Sequence, residues 1–243
     1  MLKRLFDIVV SACGLLVLWP FLLLFLLLIW LQDFCNPFYI APRARSRGRT
    51  FNMIKLRSMV KNADKQGGAS TAASDRRITW VGKLIRKTKF DEVPQLWNVL
   101  KGDMSLVGPR PQVMRDVSNF YTEEEYHLFD ARPGITDFAS LVFADEGDIL
   151  KGSPNPDLKY NQIIRPWKSR LGLFYTLNKS VWVDLQLIVL TVLSAISRPK
   201  ALGGVQRLLR KLGADPQLIE IAERSRPLQP FPPPGASEVE TRS

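Results

Sequence analysis

The alternation of apolar and polar positions isolates one segment immediately. From Ile8 to Leu31 the chain runs 24 residues without a charge, more than the roughly 20 needed to cross a hydrocarbon core. Pro20 falls near the middle, where it removes a backbone hydrogen bond and clashes with the carbonyl four residues earlier, so a kink is expected there. Lys3 and Arg4 precede the run and Arg43, Arg45, Arg47 and Arg49 follow it. Both flanks thus carry the cations that keep a loop cytoplasmic. A helix that enters one leaflet and returns satisfies both features, while proline kinks also occur in spanning helices; the residues leave these two courses open. A cleaved leader fits poorly, because the run is too long for an h-region and no small-x-small site follows.

Beyond this segment the periodicities are shorter. Thr50 to Met59 alternates loosely and predicts a short strand presenting Lys55 and Arg57 on one face. Residues 62–76 are polar and Gly/Ala/Ser-rich, which predicts a surface loop. Thr79 to Lys87 has a helical pattern through Val81, Leu84 and Ile85. A second helix is expected from Glu92 to Leu100, with Val93, Leu96, Trp97 and Leu100 on one face, Pro94 in the first turn, Asp91 at the N-cap and Gly102 as the stop. Gly102 to Pro111 reads as an ordered loop and Arg132-Pro133-Gly134 as a turn. Trp182 to Ser197, sixteen residues with only Asp184 charged, reads as a buried or interfacial helix. One short amphipathic helix is expected within Arg207 to Arg224, and disorder in the Pro-rich stretch after Arg226.

Composition sharpens this map. The chain has 243 residues, 34 Lys+Arg against 23 Asp+Glu and a net charge of +11, and its mean hydropathy of −0.04 conceals the uneven distribution. Residues 41–61 hold seven cations and no acid, and residues 76–101 hold Arg76, Arg77, Lys83, Arg86, Lys87, Lys89 and Lys101 against Asp91 and Glu92 alone. Such clusters face nucleic acid, lipid headgroups or phosphorylated substrates. Nucleic acid is disfavoured, since Trp and Phe lie in the apolar runs and not among the cations. Cys13 and Cys35 have no CxxC spacing and His127 is the only imidazole, which excludes a disulfide framework and a Cys/His zinc site. His127 reads as an ordinary surface residue. Walker A, GxGxxG, GxSxG, HExxH and EF-hand patterns are absent.

The remaining chemistry centres on Asp91 and Glu92. As an N-cap, Asp91 would contribute about 1 kcal/mol. Ringed by cations, it could instead attack phosphorus or hold a divalent metal, with Glu92 dividing the labour. Arg110, between two prolines, suits a phosphate clamp or a surface ion pair. Glu146-Gly147-Asp148 is a faint three-residue acidic motif.

KFDEVPQLWNVLKGDMSLVGPRP (Lys89 to Pro111), preceded by KLRSM (Lys55 to Met59) and followed by ARPGIT (Ala131 to Thr136), resembles the bacterial sugar transferase family, the monotopic polyprenyl-phosphate phosphoglycosyl transferases. The similarity runs over roughly residues 1–197. It implies transfer of a phosphosugar from a UDP-sugar to polyprenyl phosphate with release of UMP, at the cytoplasmic face of the bacterial inner membrane. It further implies that Asp91 is the nucleophile of a covalent intermediate, that Glu92 supports Mg²⁺ and the acceptor, that Arg86 contacts the donor phosphate and that Arg110 lines the same site. Lys55 and Arg57, whose shared strand face suits a diphosphate or a lipid surface, and Arg132 are the further candidate substrate-binding cations. The fold it implies is mainly helical α/β with little sheet: a re-entrant helix broken at Pro20 in residues 1–36, a catalytic domain in 37–197 with amphipathic interfacial helices, and an extension in 198–243. Expected partners are the nucleotide sugar, the lipid phosphate and membrane lipids, with no nucleic acid; a homodimer stays open. Two departures stand out. Trp19 precedes the proline where relatives often have serine, and Asp137-Phe138-Ala139 follows the RPG turn where many have Gly-Trp-Ala. A membrane-tethered, non-enzymatic binder of anionic lipid or nucleic acid and a hydrolase of the same nucleotide sugar are the rival readings.

Overall fold

The computed structural model describes residues 2–46, 48–63 and 75–242. Arg47 of the first basic cluster, and residues 64–74 of the polar loop, lie outside them. The N-terminal apolar run forms helix α1 (Leu2–Asp33). A hairpin follows, β1 (Phe38–Ser46) antiparallel to β2 (Arg49–Leu56), then α2 (Trp80–Lys87) and α3 (Gln95–Lys101). Strand β3 (Ser105–Val107), α4 (Met114–Phe120) and β4 (Gly134–Thr136) come next, with β3 and β4 parallel. The rest is helical: α5 (Phe138–Val142), α6 (Glu146–Ile149), α7 (Pro156–Ile163), α8 (Arg165–Asn178), α9 (Val181–Ile196), α10 (Arg198–Lys211) and α11 (Pro216–Glu223). The chain is therefore a mainly helical α/β protein with two small sheets.

α1 is the one described helix long and apolar enough to cross a membrane. Most of its surface is bare: Leu16 is 72% and Val17 69% exposed, and each such side chain forgoes roughly 1.5–3 kcal/mol while it faces water. Its two ends, however, are tied to one globular body. At the start, the Lys3 ammonium pairs with the buried Asp184 of α9, the Asp7 carboxylate accepts from Ser105 Oγ at 2.9 Å and Leu106 N at 3.2 Å, and Arg4 donates to the carbonyls of Val99 and Leu100. At the end, Asp33 forms a bidentate pair with Arg57, whose Nε donates to the Asn36 carbonyl at 2.8 Å. Between them Ile29 packs with Leu56, Val81 and Ile85, and Phe25 meets Phe90 with ring centroids 4.9 Å apart. The helix continues through Pro20 as one element, where a break into two was expected; the proline forfeits its own hydrogen bond while the turns around it retain theirs.

Several local expectations hold and others are corrected. α2 is capped by Thr79, whose Oγ1 accepts from Gly82 N at 3.0 Å, and α3 stops at Gly102 with φ of 88°. α3 begins three residues later than its periodicity suggests. Pro94 has no N–H to offer the Phe90 carbonyl, so residues 90–92 adopt a separate 3-10 turn, closed by Val93 N to the Phe90 carbonyl at 3.1 Å. Asp91 thus sits on this turn and caps nothing. The fully buried residues of α3 are Gln95, Asn98 and Val99; of the apolar stripe, Leu96 packs against the core while Trp97 is 54% exposed. The ordered loop after Gly102 contains β3, and Arg57 lies beyond the end of β2, turned toward Asp33 and away from Lys55. Residues 207–224 form the end of α10 and then α11, divided by Gly213 at φ of 74°. The Pro-rich stretch expected to be disordered lies against the domain, with Phe231 packed on Trp167 at 4.5 Å. α9 is half-buried, burying Val183, Asp184, Leu187 and Leu190 while exposing Trp182, Val189, Val192 and Ile196.

The main core joins β3, α5, α8, α9, α10 and α11. Close backbone contact positions what surrounds the site. A Cβ on Gly82 would stand 1.9 Å from the Ser58 carbonyl oxygen, and one on Gly134 2.1 Å from Gly108 N. Gly82→Ala is expected to cost about 1–3 kcal/mol through this clash. Gly203→Ala, in α10 with nothing within 4 Å, should gain about 0.5–1 kcal/mol. Thermal unfolding of the detergent-solubilised variants checks the pair: the first midpoint should fall and the second rise, and equal midpoints contradict the close approach of α2 to Ser58.

Candidate active site

Four elements bring the charged groups together. β2 supplies Lys55, α2 supplies Arg86, the 3-10 turn supplies Asp91 and Glu92, and the Pro-Arg-Pro segment after β3 supplies Arg110. Asn98 of α3 fixes the first of these elements. Its Oδ1 accepts from Ile54 N at 2.9 Å and its Nδ2 donates to the Asn52 carbonyl at 2.8 Å, locking β2 beside α3. Lys89, a non-glycine residue with φ of 54°, reverses the chain out of α2 into the acidic turn, a costly conformation of the kind that persists where surrounding structure enforces it. Phe90, one residue before Asp91, is seated against Phe25 of α1. The turn is therefore held directly by the membrane helix.

The two carboxylates have different environments. Glu92 Oε1 accepts from Arg110 Nη2 at 2.5 Å and from Lys55 Nζ at 3.2 Å. Burial by itself would raise its pKa, but Arg110 and Lys55 outweigh it and hold the carboxyl far below the usual range. Asp91 has no hydrogen bond among the described residues. Burial pushes its carboxyl above the ordinary value of 3.8, opposed by Lys55, reinforced by the charge of Glu92 and opposed again by Arg86 and Arg110. Glu92 is thus spoken for, and Asp91 is the carboxylate available for chemistry. Arg86 is steered by Ser58, whose Oγ accepts from its Nε at 2.9 Å.

A cleft of about 360 Å³ opens beside the pair. Lys55, Arg86 and Arg110 face both the carboxylates and the cleft. Further along stand Arg43, Asp137, Glu146, Tyr160, Arg165 and Lys168. Glu146 pairs with Lys168, whose ammonium lies 5.4 Å from the Tyr160 ring centre. Asp137 is buried and accepts from Ser140 N at 2.7 Å and Ser140 Oγ at 2.6 Å, capping α5.

Of the cations singled out from sequence, Lys55, Arg86 and Arg110 converge on the acidic turn. Arg57 is spent on Asp33, and Arg132 is exposed at its turn and does not line the cleft. His127 is a surface residue paired with Asp130. Lys168, Tyr160 and Arg165 escaped the sequence reading because they stand on α7 and α8, far along the chain from the motif, in patterns indistinguishable from ordinary helix faces. Glu146 and Asp137 left a trace, the first as the faint acidic motif and the second as the departure after the RPG turn. Among the described residues no group of three or more His, Cys, Asp or Glu side chains could hold a metal. Two adjacent carboxylates suit an ion such as Mg²⁺, which keeps waters and shares its remaining positions with substrate phosphates.

Comparison with known proteins accords with this arrangement. Residues 1–198 match the family described as bacterial sugar transferase. A UDP-N-acetylgalactosamine-undecaprenyl-phosphate N-acetylgalactosaminephosphotransferase of Aeromonas hydrophila is 32% identical over 195 residues, 79% of this chain and 43% of that protein. The exopolysaccharide production protein PSS of Rhizobium leguminosarum bv. phaseoli is 39% identical over 209 residues, 82% of this chain and 97% of that protein. A UDP-glucose:undecaprenyl-phosphate glucose-1-phosphate transferase of Caulobacter vibrioides is 32% identical over 206 residues, 82% and 71% of the two chains. Against longer relatives, the Aeromonas protein and an uncharacterized sugar transferase of Haemophilus influenzae, the match spans about two-fifths of their length. With the match running from α1 to the end of α9 and taking in the acidic turn and the Pro-Arg-Pro segment, the chain belongs to the bacterial sugar transferase family.

Proposed function

We propose that the protein transfers a sugar 1-phosphate from a UDP-sugar to a polyprenyl phosphate at a membrane surface, through a covalent intermediate on Asp91. The observation that carries this reading is the contrast within the acidic pair: Glu92 is tied by Arg110 and Lys55, while Asp91 is free of hydrogen bonds and faces the same cations. The donor diphosphate is anionic and resists a carboxylate nucleophile. Lys55, Arg86 and Arg110 neutralise it and orient its sugar-linked phosphorus toward Asp91. An Asp91 oxygen forms a bond to that phosphorus as its bond to the bridging oxygen breaks, and UMP departs with the bonding electrons. An oxygen of the lipid phosphate then attacks the same phosphorus, releasing the Asp91 carboxylate and leaving a lipid diphosphate sugar. If Mg²⁺ is bound, Asp91 and the second oxygen of Glu92 would hold it, and it would supply further charge neutralisation. The printed names of the Aeromonas and Caulobacter relatives state a UDP-sugar and undecaprenyl phosphate, the same substrate classes.

The two tethered ends of α1 support a re-entrant course. A spanning helix separates its ends by about 30 Å of hydrocarbon, whereas Lys3, Asp7 and Asp33 all bind one body. That body then lies on the cytoplasmic side with the acidic turn at headgroup level, where a lipid phosphate resides.

Incubation with a UDP-sugar labelled in the sugar, without lipid acceptor, followed by denaturation should leave label on the wild type and none on Asp91→Asn; label on both removes Asp91 from the role. Sustained UMP release without acceptor would favour the hydrolase instead. Because Asp91 must be ionised to attack and burial raises its pKa, kcat/KM should climb with pH through a group above the ordinary aspartate range. Lys55→Met should move that acidic limb upward, since Lys55 is the strongest influence lowering it; an unmoved limb disconnects Lys55 from Asp91. For topology, Leu2→Cys and Ser46→Cys in a chain lacking Cys13 and Cys35 should both resist a membrane-impermeant thiol reagent in intact cells and react after lysis. Labelling of one alone in intact cells would mean a spanning helix.

A further inference from the structure

The segment after α11 lies beyond the stretch shared with the family and yet packs against residues that line the cleft. Phe231 packs on Trp167 and beneath the Arg170 guanidinium, at 4.5 and 4.8 Å. The Pro234 carbonyl accepts from Thr122 Oγ1 at 2.6 Å, and the Glu240 carbonyl accepts from Gln162 Nε2 at 3.0 Å. These contacts carry the Glu240 carboxylate to 3.8 Å from Arg165 Nη2 and the Arg242 guanidinium to 5.6 Å from the Phe120 ring centre. Arg165 and Phe120 both line the cleft.

Arg165 is a buried cation with unspent donors. Its Nη1 donates to the Phe120 carbonyl at 2.5 Å, but Nε and Nη2 are buried without hydrogen-bond partners. The carboxylates of Glu125 and Glu240 stand at 3.6 and 3.8 Å, balancing its charge without satisfying its N–H groups. Arg43 lines the same cleft with its Nε equally unpartnered. Buried donors of this kind call for an acceptor-bearing guest. Phe120, Tyr121, Phe129 and Tyr160 add aromatic faces to this part of the cleft, which suit a flat ring.

We propose that Arg43, Arg165 and these aromatic faces form the pocket for the pyrimidine base of the donor nucleotide, and that Glu240 and Arg242 are positioning residues that hold Arg165 and Phe120 in place. Uracil presents two carbonyl oxygens to the unspent N–H groups, whereas cytosine replaces one of them with a donor amino group. The sugar falls at the other part of the cleft, where Asp137, Glu146 and Lys168 lie near Arg110. This assignment rests on the nucleotide-sugar reading but not on the covalent step at Asp91.

The test is calorimetric binding of UMP, CMP and inorganic pyrophosphate to the full-length protein in detergent. The variants are a chain ended at Arg226 and the double variant Glu240→Gln/Arg242→Gln, each checked for a cooperative thermal transition. Wild type should prefer UMP to CMP. UMP affinity should fall about tenfold in the shortened chain and several-fold in the double variant, the scale of one or two well-placed polar contacts. Pyrophosphate, which probes only the Arg110 corner, should bind unchanged. Unaltered UMP affinity overturns the proposal, as does an equal loss for pyrophosphate, or wild-type affinity for CMP matching that for UMP. Should the shortened chain fail to fold, the double variant decides by the same criteria. Label retained by Asp91→Asn would refute the covalent mechanism and leave this binding result standing.

Discussion

Everything in this protein follows from an apolar helix whose two ends are fastened to the same body. A bare leucine-rich surface must leave water, and in a spanning helix that would carry one end away from the domain. Here the pairing of Lys3 with the buried Asp184, the Asp7 contacts with β3 and the Arg57–Asp33 fork keep both ends in place. Separating any of these would strand a buried charge, the kind of loss that costs about 3–5 kcal/mol. In the re-entrant course proposed for it, the helix sinks into one leaflet by drawing the face of the domain that carries it against the bilayer. Exposed Trp97 of α3 and Trp182 of α9 are aromatic side chains of the type that settle at that depth.

The same fastening places the chemistry. Phe25 holds Phe90, and Phe90 leads into Asp91, so the reactive turn cannot drift from the membrane segment. Around it the charges are matched unevenly. Two cations are shared with Glu92, which keeps that carboxylate ionised and occupied; Asp91 feels the same cations without bonding to them and bears the cost of burial instead. Two neighbouring residues of nearly identical chemistry thus acquire separate environments, one anchoring the arginine and lysine, the other proposed as the nucleophile.

The sequence carried the broad outline because its signals were local. A run without charges, a threonine before an amphipathic repeat and a glycine after another are read within a few residues, and α1, α2 and the end of α3 appear where those features put them. The motif from Lys89 to Pro111, together with KLRSM and with Arg86 just before the motif, also exposed Lys55, Arg86, Asp91, Glu92 and Arg110. Errors arose where a distant partner overruled the local pattern. Arg57 follows a strand rhythm but is captured by Asp33 at the end of α1. The stretch after Arg226 has a composition that cannot build a core of its own, yet it is held by Trp167, Thr122 and Gln162 of a core already formed.

The sequence by itself determined that the chain holds a lipid-seeking helix, a basic surplus aimed at phosphates and one pair of acids among those cations, since charge and apolarity belong to residues wherever they fold. Only the tertiary structure decided which acid is free, which arginines face the cleft, and that both ends of the helix share one body. Those are relations between groups up to about 180 residues apart, Lys3 and Asp184 at the extreme, set by packing and burial that no local pattern encodes.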